Sequence, residues 1–134
     1  MNQEQLIQLQ IIEQEAQQLE QQSQIIEQNI IEMQNLNNSL EELEKTDKKE
    51  ILANIGRGIY IPAEIKDKNL TVEVGNKVFV KKSIPETKKI VEEQIEKLDE
   101  AREQIKDRLD DLREEVDQFM KSEDKNKNIS EERK

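Results

Sequence analysis

Two apolar stripes, each stepping alternately by three and four residues, constrain this chain more than any other feature. The first is Leu9, Ile12, Ala16, Leu19, Ser23, Ile26, Ile30, Met33, Asn37 and Leu40; the second is Val91, Ile95, Leu98, Arg102, Ile105, Leu109, Leu112, Val116 and Phe119. A repeat averaging 3.5 residues keeps facing one partner helix only if the two helices supercoil. Each stripe predicts a helix of roughly 40 residues, about 60 Å of rod at 1.5 Å per residue. Folded back on each other, the helices pair antiparallel, so that facing residue numbers sum to a constant. Sums of 128 and 135 both satisfy the spacing. The 135 pairing is preferred here, because it sets Ala16 against Phe119 and Ser23 against Leu112, small against large.

Composition agrees with rods rather than a globule. Charged residues make up 39% of the 134, aromatics only 2%, and tryptophan is absent. A globular core of that length draws on large aromatic anchors, whereas a paired helix needs only a narrow aliphatic stripe. The chain has no cysteine and no histidine, which removes thiolate chemistry together with the commonest general base and transition-metal ligand. Asp107, Asp110, Asp111 and Glu114 at helical spacing read as a solvated face, so no enzyme, metal or cofactor is expected. Residues 1–44 carry nine acidic groups and no basic one, against nine basic and five acidic over 45–82. Acidic helices argue against nucleic acid as a ligand, since phosphate binding needs a positive track. No apolar run approaches the roughly 18 residues of a membrane span, and the first residues lack a signal peptide's positive start. A cytoplasmic protein without a membrane partner is the expectation.

The middle of the chain changes period. Ile59, Ile61, Ala63 and Ile65 alternate with Tyr60, Pro62 and Glu64, while Leu70, Val72 and Val74 alternate with Thr71 and Glu73. Val78, Phe79 and Val80 follow. Period-two alternation rich in β-branched residues predicts strands, and Gly56-Arg57-Gly58, Lys66-Asp67-Lys68-Asn69 and Gly75-Asn76 punctuate them as turns. Ser83 is the expected N-cap of the second helix, with Pro85 in its first turn and Glu86 three residues after the cap. A single domain is expected, with an N-terminal coiled-coil helix over 1–49, two β-hairpins over 50–82, a C-terminal coiled-coil helix over 83–121 and a disordered tail over 122–134. The fold class is α+β, mostly α: a long antiparallel coiled coil joined by two hairpins. So small a β block cannot bury enough apolar surface alone and leaves strand edges unpaired. Ile59, Ile61, Ile65, Leu70, Val72, Val74, Val78, Phe79 and Val80 are therefore expected to serve assembly, closing with strands of other chains into an intersubunit β-barrel.

The start of the first helix carries a second surplus. Leu6, Ile7, Leu9, Ile11 and Ile12 place five apolar residues in seven positions and point around nearly the whole helix, so one partner helix leaves some of them uncovered. Val116, Phe119 and Met120 form a second apolar cluster near the end of the other helix. These eight residues are the candidate binding surface, suited to shape-tolerant contact with apolar partners.

The stretch Ile55-Gly56-Arg57-Gly58-Ile59-Tyr60-Ile61, with Ile65-Lys66-Asp67, Val72-Glu73-Val74-Gly75 and Val78-Phe79-Val80-Lys81-Lys82, resembles the hairpin core of the prefoldin alpha class, above all its archaeal form. The resemblance extends to the order helix, two hairpins, helix. Two departures are Ala53-Asn54 where the family often has a proline, and Lys77 where it has a second glycine. The resemblance implies two alpha subunits assembled with four prefoldin beta subunits. It also implies an ATP-independent holdase that binds unfolded client proteins at the coiled-coil tips and delivers them to a group II chaperonin. The alternative is a structural adaptor or tether that uses the same coiled coil without chaperone activity.

Overall fold

The structure is a computed structural model; it describes residues 2–132, with side chains described for residues 2–123. Helix α1 spans Gln3–Lys45 and α2 spans Ile84–Glu132, and between them lie β1 (Glu50–Gly56), β2 (Ile59–Glu64), β3 (Leu70–Gly75) and β4 (Val78–Lys82). The chain divides into two compact units, one pairing α1 through Ile30 with α2 from Lys97, the other running from Ile31 to Glu96.

Helix α1 starts on a reciprocal cap. The Gln5 N–H donates to Asn2 Oδ1 at 2.8 Å, and the Asn2 N–H donates to Gln5 Oε1 at 3.0 Å. Two otherwise unpaired donors are thereby satisfied. Every residue of both predicted stripes is buried or half-buried. In the first unit Ile30 and Leu112 are buried, Leu112 almost completely.

The register is not the preferred one. Ile12 and Ala16 line one groove with Leu112 and Val116, which is the 128 pairing; Phe119, the 135 partner of Ala16, is absent from that groove. In the second unit Met33 and Ile95 pack on the same cluster and also sum to 128. Packing small against large is a local gain that a one-heptad shift re-creates elsewhere. The ion pair between Glu15 and Arg108 joins the two helices beside these layers.

In the second unit Leu40, Ile84 and Val91 form a buried cluster, with Met33, Leu43, Leu70 and Ile95 packed around it. Leu70 brings β3 into this core, so the second hairpin is seated on its own chain's helices. Asn37 occupies a stripe position nearby, and its buried Oδ1 has no hydrogen-bond partner among the described residues. A polar group at such a position trades stability for register.

Helix α1 ends at Lys45 rather than Lys49. The ammonium of Lys68, from the segment between the hairpins, donates to the carbonyls of Glu44 at 3.2 Å and Thr46 at 2.8 Å. A cation on the last carbonyls of a helix satisfies unpaired acceptors and suits the negative end of the dipole. Ser83 caps α2 as expected: the Glu86 N–H donates to its Oγ at 3.3 Å. Helix α2 then runs on to Glu132, past Lys121, where the apolar stripe stops and a disordered tail was expected. Ser122–Glu132 contains no glycine or proline to end a helix and several good helix formers, so loss of the stripe does not stop the backbone. The last two residues of that expected tail lie outside the described residues.

The four strands make two separate two-stranded antiparallel sheets, β1–β2 and β3–β4. Both close through two-residue turns of left-handed backbone: Arg57 (φ 47°) and Gly58 (φ 76°) in one, Asn76 (φ 47°) and Lys77 (φ 61°) in the other. Such turns match the right-handed twist of the strands. Each sheet also carries a bulge beside its turn, between Asn54 and Gly56 and between Glu73 and Gly75. A single chain closes no barrel; that closure belongs to association between chains.

Candidate functional site

Two apolar surfaces stand out, one in each unit. On the first hairpin the ladder sets Ile51 opposite Ala63 and Ala53 opposite Ile61, which gathers Ile51, Ala53, Ile61 and Ala63 on one face. Leu52 opposes Pro62 and Asn54 opposes Tyr60 on the other. Ile59, Ile61, Tyr60 and Ile51 are exposed, and Leu52 and Ile55 most of all, each at 67%. On the second hairpin Leu70, Val72 and Val80 share a half-buried face, while Val74, Val78 and Phe79 are exposed. Ile65 follows β2 and is half-buried; its N–H donates to the Lys49 carbonyl at 2.6 Å and closes the base of the first hairpin.

Of the residues expected to serve assembly, Ile59, Ile61, Val74, Val78 and Phe79 are therefore free on the surface. Leu70 serves the chain's own core instead. Leu52 and Ile55 were not singled out for assembly from the sequence, because Ala53 and Asn54 interrupt the β-branched alternation of β1, and Tyr60 was read only as the alternate to Ile59 and Ile61 in β2. The cross-strand register was the missing signal.

The second surface lies in the first unit. Leu6, Ile7, Ile11 and Met120 are exposed, Ile11 at 57% and Met120 at 45%. Leu9, Ile12, Val116 and Phe119, expected to belong to the same surface, are half-buried along the stripes. The eight residues thus divide into four that pack the helices together and four that the fold leaves uncovered.

Charges flank this surface. The Arg108 guanidinium grips Glu15 of the facing helix in two-pronged fashion, Nε to Oε1 at 2.9 Å and Nη2 to Oε2 at 3.2 Å, with Glu115 at 3.8 Å. The hydrogen bond from Arg108 holds the Glu15 carboxyl below the usual carboxylate range. Both groups are exposed, so the pair sets geometry more than stability. Within α2, Asp99 pairs with Arg102 at 2.6 Å and Asp110 with Arg113 at 3.9 Å. Among the described residues no three acidic side chains converge as a metal site would require.

Residues 12–128 match the family described as Prefoldin subunit, across both helices and both hairpins. The chain belongs to the prefoldin family. It is 37% identical over 97 residues to prefoldin subunit alpha of Pyrococcus horikoshii, a match covering 65% of this chain. That stretch spans 66% of the relative's length, just under two thirds. The fold is similar to that of filamentous PFD from Methanocaldococcus jannaschii, solved by cryo-electron microscopy. The TM-score is 0.74 at 16% identity, over 84% of this chain and 95% of that one. Prefoldins are non-enzymatic chaperones whose subunits assemble with one another. No helix among the described residues is long and apolar enough to cross a membrane.

Proposed function

We propose that this prefoldin subunit is an ATP-independent holdase, which captures unfolded proteins on Leu6, Ile7, Ile11 and Met120 and passes them to a group II chaperonin in the cytoplasm. The observation that carries this reading is that these four side chains are exposed at the end of a helix pair whose packing does not use them. Large exposed apolar groups in so charged a chain are a solubility liability without a binding role. Two copies assemble with four prefoldin beta subunits, as the resemblance to the alpha class implies. The exposed residues of the hairpins supply the surface for that assembly.

Weak individual contacts suit the task. Burying about 100 Å² of apolar surface on a client is worth roughly 2.5 kcal/mol at 25 cal/mol per Å². Several subunits around one client then raise the local concentration of contacts, so capture is useful while release needs no nucleotide.

The test replaces Leu6, Ile7, Ile11 and Met120 with Ser in the assembled complex and follows aggregation of unrelated denatured proteins without nucleotide. The complex should keep its mass and lose most of its protection, above all for large clients that span several subunits. Undiminished protection with these residues made polar in every subunit would move the capture site elsewhere. A wild-type complex that ignores denatured proteins would favour a structural tether.

A further inference from the structure

We propose that the groove beside Ala16, between α1 and α2, receives a large aromatic side chain flanked by basic residues in an extended segment of an unfolded protein. This rests on the holdase reading and adds a second contact, with its own chemistry, to the exposed residues at the end of the helix pair.

Ala16 is a gap in a seam built mostly from larger side chains. In the observed register it faces Leu112, and one heptad further Ser23 faces Ile105. Two small residues at equivalent positions forgo burial that leucine or isoleucine would supply. The space left at Ala16 opens to the outside as a groove of about 270 Å³, lined by Ile12, Leu109, Leu112 and Val116. An apolar cavity of roughly 150 Å³ admits benzene, whereas small-molecule pockets begin near about 300 Å³. The groove therefore suits a single side chain, and an aromatic ring fills it best. The neighbouring groove at Ser23 is bounded by Glu27, Arg102, Glu103 and Lys106, with Leu109 as its one apolar lining residue. It offers a ring no comparable seat.

The heptad repeat joins the Ala16 groove to the exposed end. Glu20 and Arg113 stand at its rim. Seven residues at a time, Glu20 leads through Glu13 to Leu6, and Arg113 leads to Met120, so all of them lie along one edge of the helix pair. Leu6 and Met120 are exposed. One heptad advances about 10 Å, which an extended segment covers in about three residues. A segment held at Leu6 and Met120 and following this edge thus passes over the groove.

Charge selects the neighbours of the ring. Glu20 and Asp117 border the groove, and Glu13 follows on the same edge. Arg113, the one cation lining it, lies 3.9 Å from Asp110 and is already shared. Residues 1–44 carry no basic group that could compensate from α1. Basic residues beside the ring therefore meet carboxylates, and acidic ones are repelled.

The chain has no tryptophan, so the fluorescence of one placed in a probe peptide reports its burial. The probe is a glycine-serine peptide with Lys-Trp-Lys at its centre, titrated against the full-length chain. Its emission should shift to the blue on binding, and the Asp-Trp-Asp counterpart should bind about tenfold more weakly. Ala16→Leu fills the groove: the thermal midpoint should rise by about 3 °C while affinity for the Lys-Trp-Lys peptide falls about tenfold. Ser23→Leu should raise the midpoint in the same way and leave that affinity unchanged, which separates occlusion from stiffening. Unchanged affinity in Ala16→Leu overturns the proposal, as does equal binding of the two peptides or equal loss in Ser23→Leu. Changing Leu6, Ile7, Ile11 and Met120 to Ser should leave peptide binding in place. If those changes also leave protection of denatured proteins undiminished, the capture surface at the helix ends falls and the groove stands.

Discussion

The two hairpins share a design and differ in what holds them. Each turns through two residues of left-handed backbone beside a bulge, and each would be marginal alone. The second lays Leu70 on the Leu40–Ile84–Val91 cluster and half-buries Val72 and Val80 on the same face. The first has no such seat: Ile51, Leu52, Ile55, Ile59, Tyr60 and Ile61 are all exposed, and a backbone hydrogen bond from Ile65 to Lys49 closes its base. One hairpin is thus part of the subunit's own fold, while the other leaves its large apolar side chains uncovered. A prefoldin chain built this way keeps a stable base from which an unsatisfied sheet can recruit partners.

The sharpest way to break this comparison is to place a charge on each hairpin in turn. Leu70→Asp sets a carboxylate against the helix cluster and should cost the isolated chain about 3 kcal/mol. Ile59→Asp on the first hairpin should move the same urea midpoint by less than about 0.5 kcal/mol, yet abolish assembly in light scattering. Equal costs in the isolated chain would mean that the hairpins are held alike.

The joint between the hairpins offers a smaller lever. Lys68 caps α1 through two carbonyls, and Lys68→Ala should cost about 1 kcal/mol in thermal unfolding, in line with other helix caps. Smaller still is the effect of the turns themselves. Lys77 holds a left-handed conformation (φ 61°) that Gly58 occupies at no steric cost in the other hairpin. Lys77→Gly should therefore stabilise the chain by about 0.5 kcal/mol, because hairpin strain is coupled to the core through Leu70. Gly58→Lys should leave isolated-chain unfolding nearly unchanged and weaken assembly instead.

Both helical stripes, the two hairpins, their turns and the Ser83 cap were legible in the sequence, because each follows from local periodicity or local turn chemistry. The register was not. A heptad pattern repeats under a shift of seven, so Ala16 meets an apolar partner in either pairing, and contacts such as Glu15–Arg108 join residues too distant for spacing to connect. Lys68 as a helix cap was hidden for the same reason. The Asn2–Gln5 cap was legible as Asn-x-x-Gln, yet Asn2 and Gln5 precede the stripe and so passed unread. The candidate binding surface was half legible: crowding of apolar residues over Leu6–Ile12 marked the place, and the stripe itself sets Leu9 and Ile12, half-buried in the structure, apart from exposed Leu6, Ile7 and Ile11. Leu52 and Ile55 stayed hidden until strand pairing showed which faces of β1 lack cover.

Amide hydrogen exchange, read on the isolated chain and again on the assembled complex, tests the difference between the hairpins most directly. In the isolated chain the amides of β3 and β4 should be protected and those of β1 and β2 should exchange much faster. Assembly should then raise protection at least a hundredfold on β1, with a far smaller change on β3 and β4. Equal protection of both hairpins in the isolated chain, or a β1 that assembly leaves unprotected, would contradict the account.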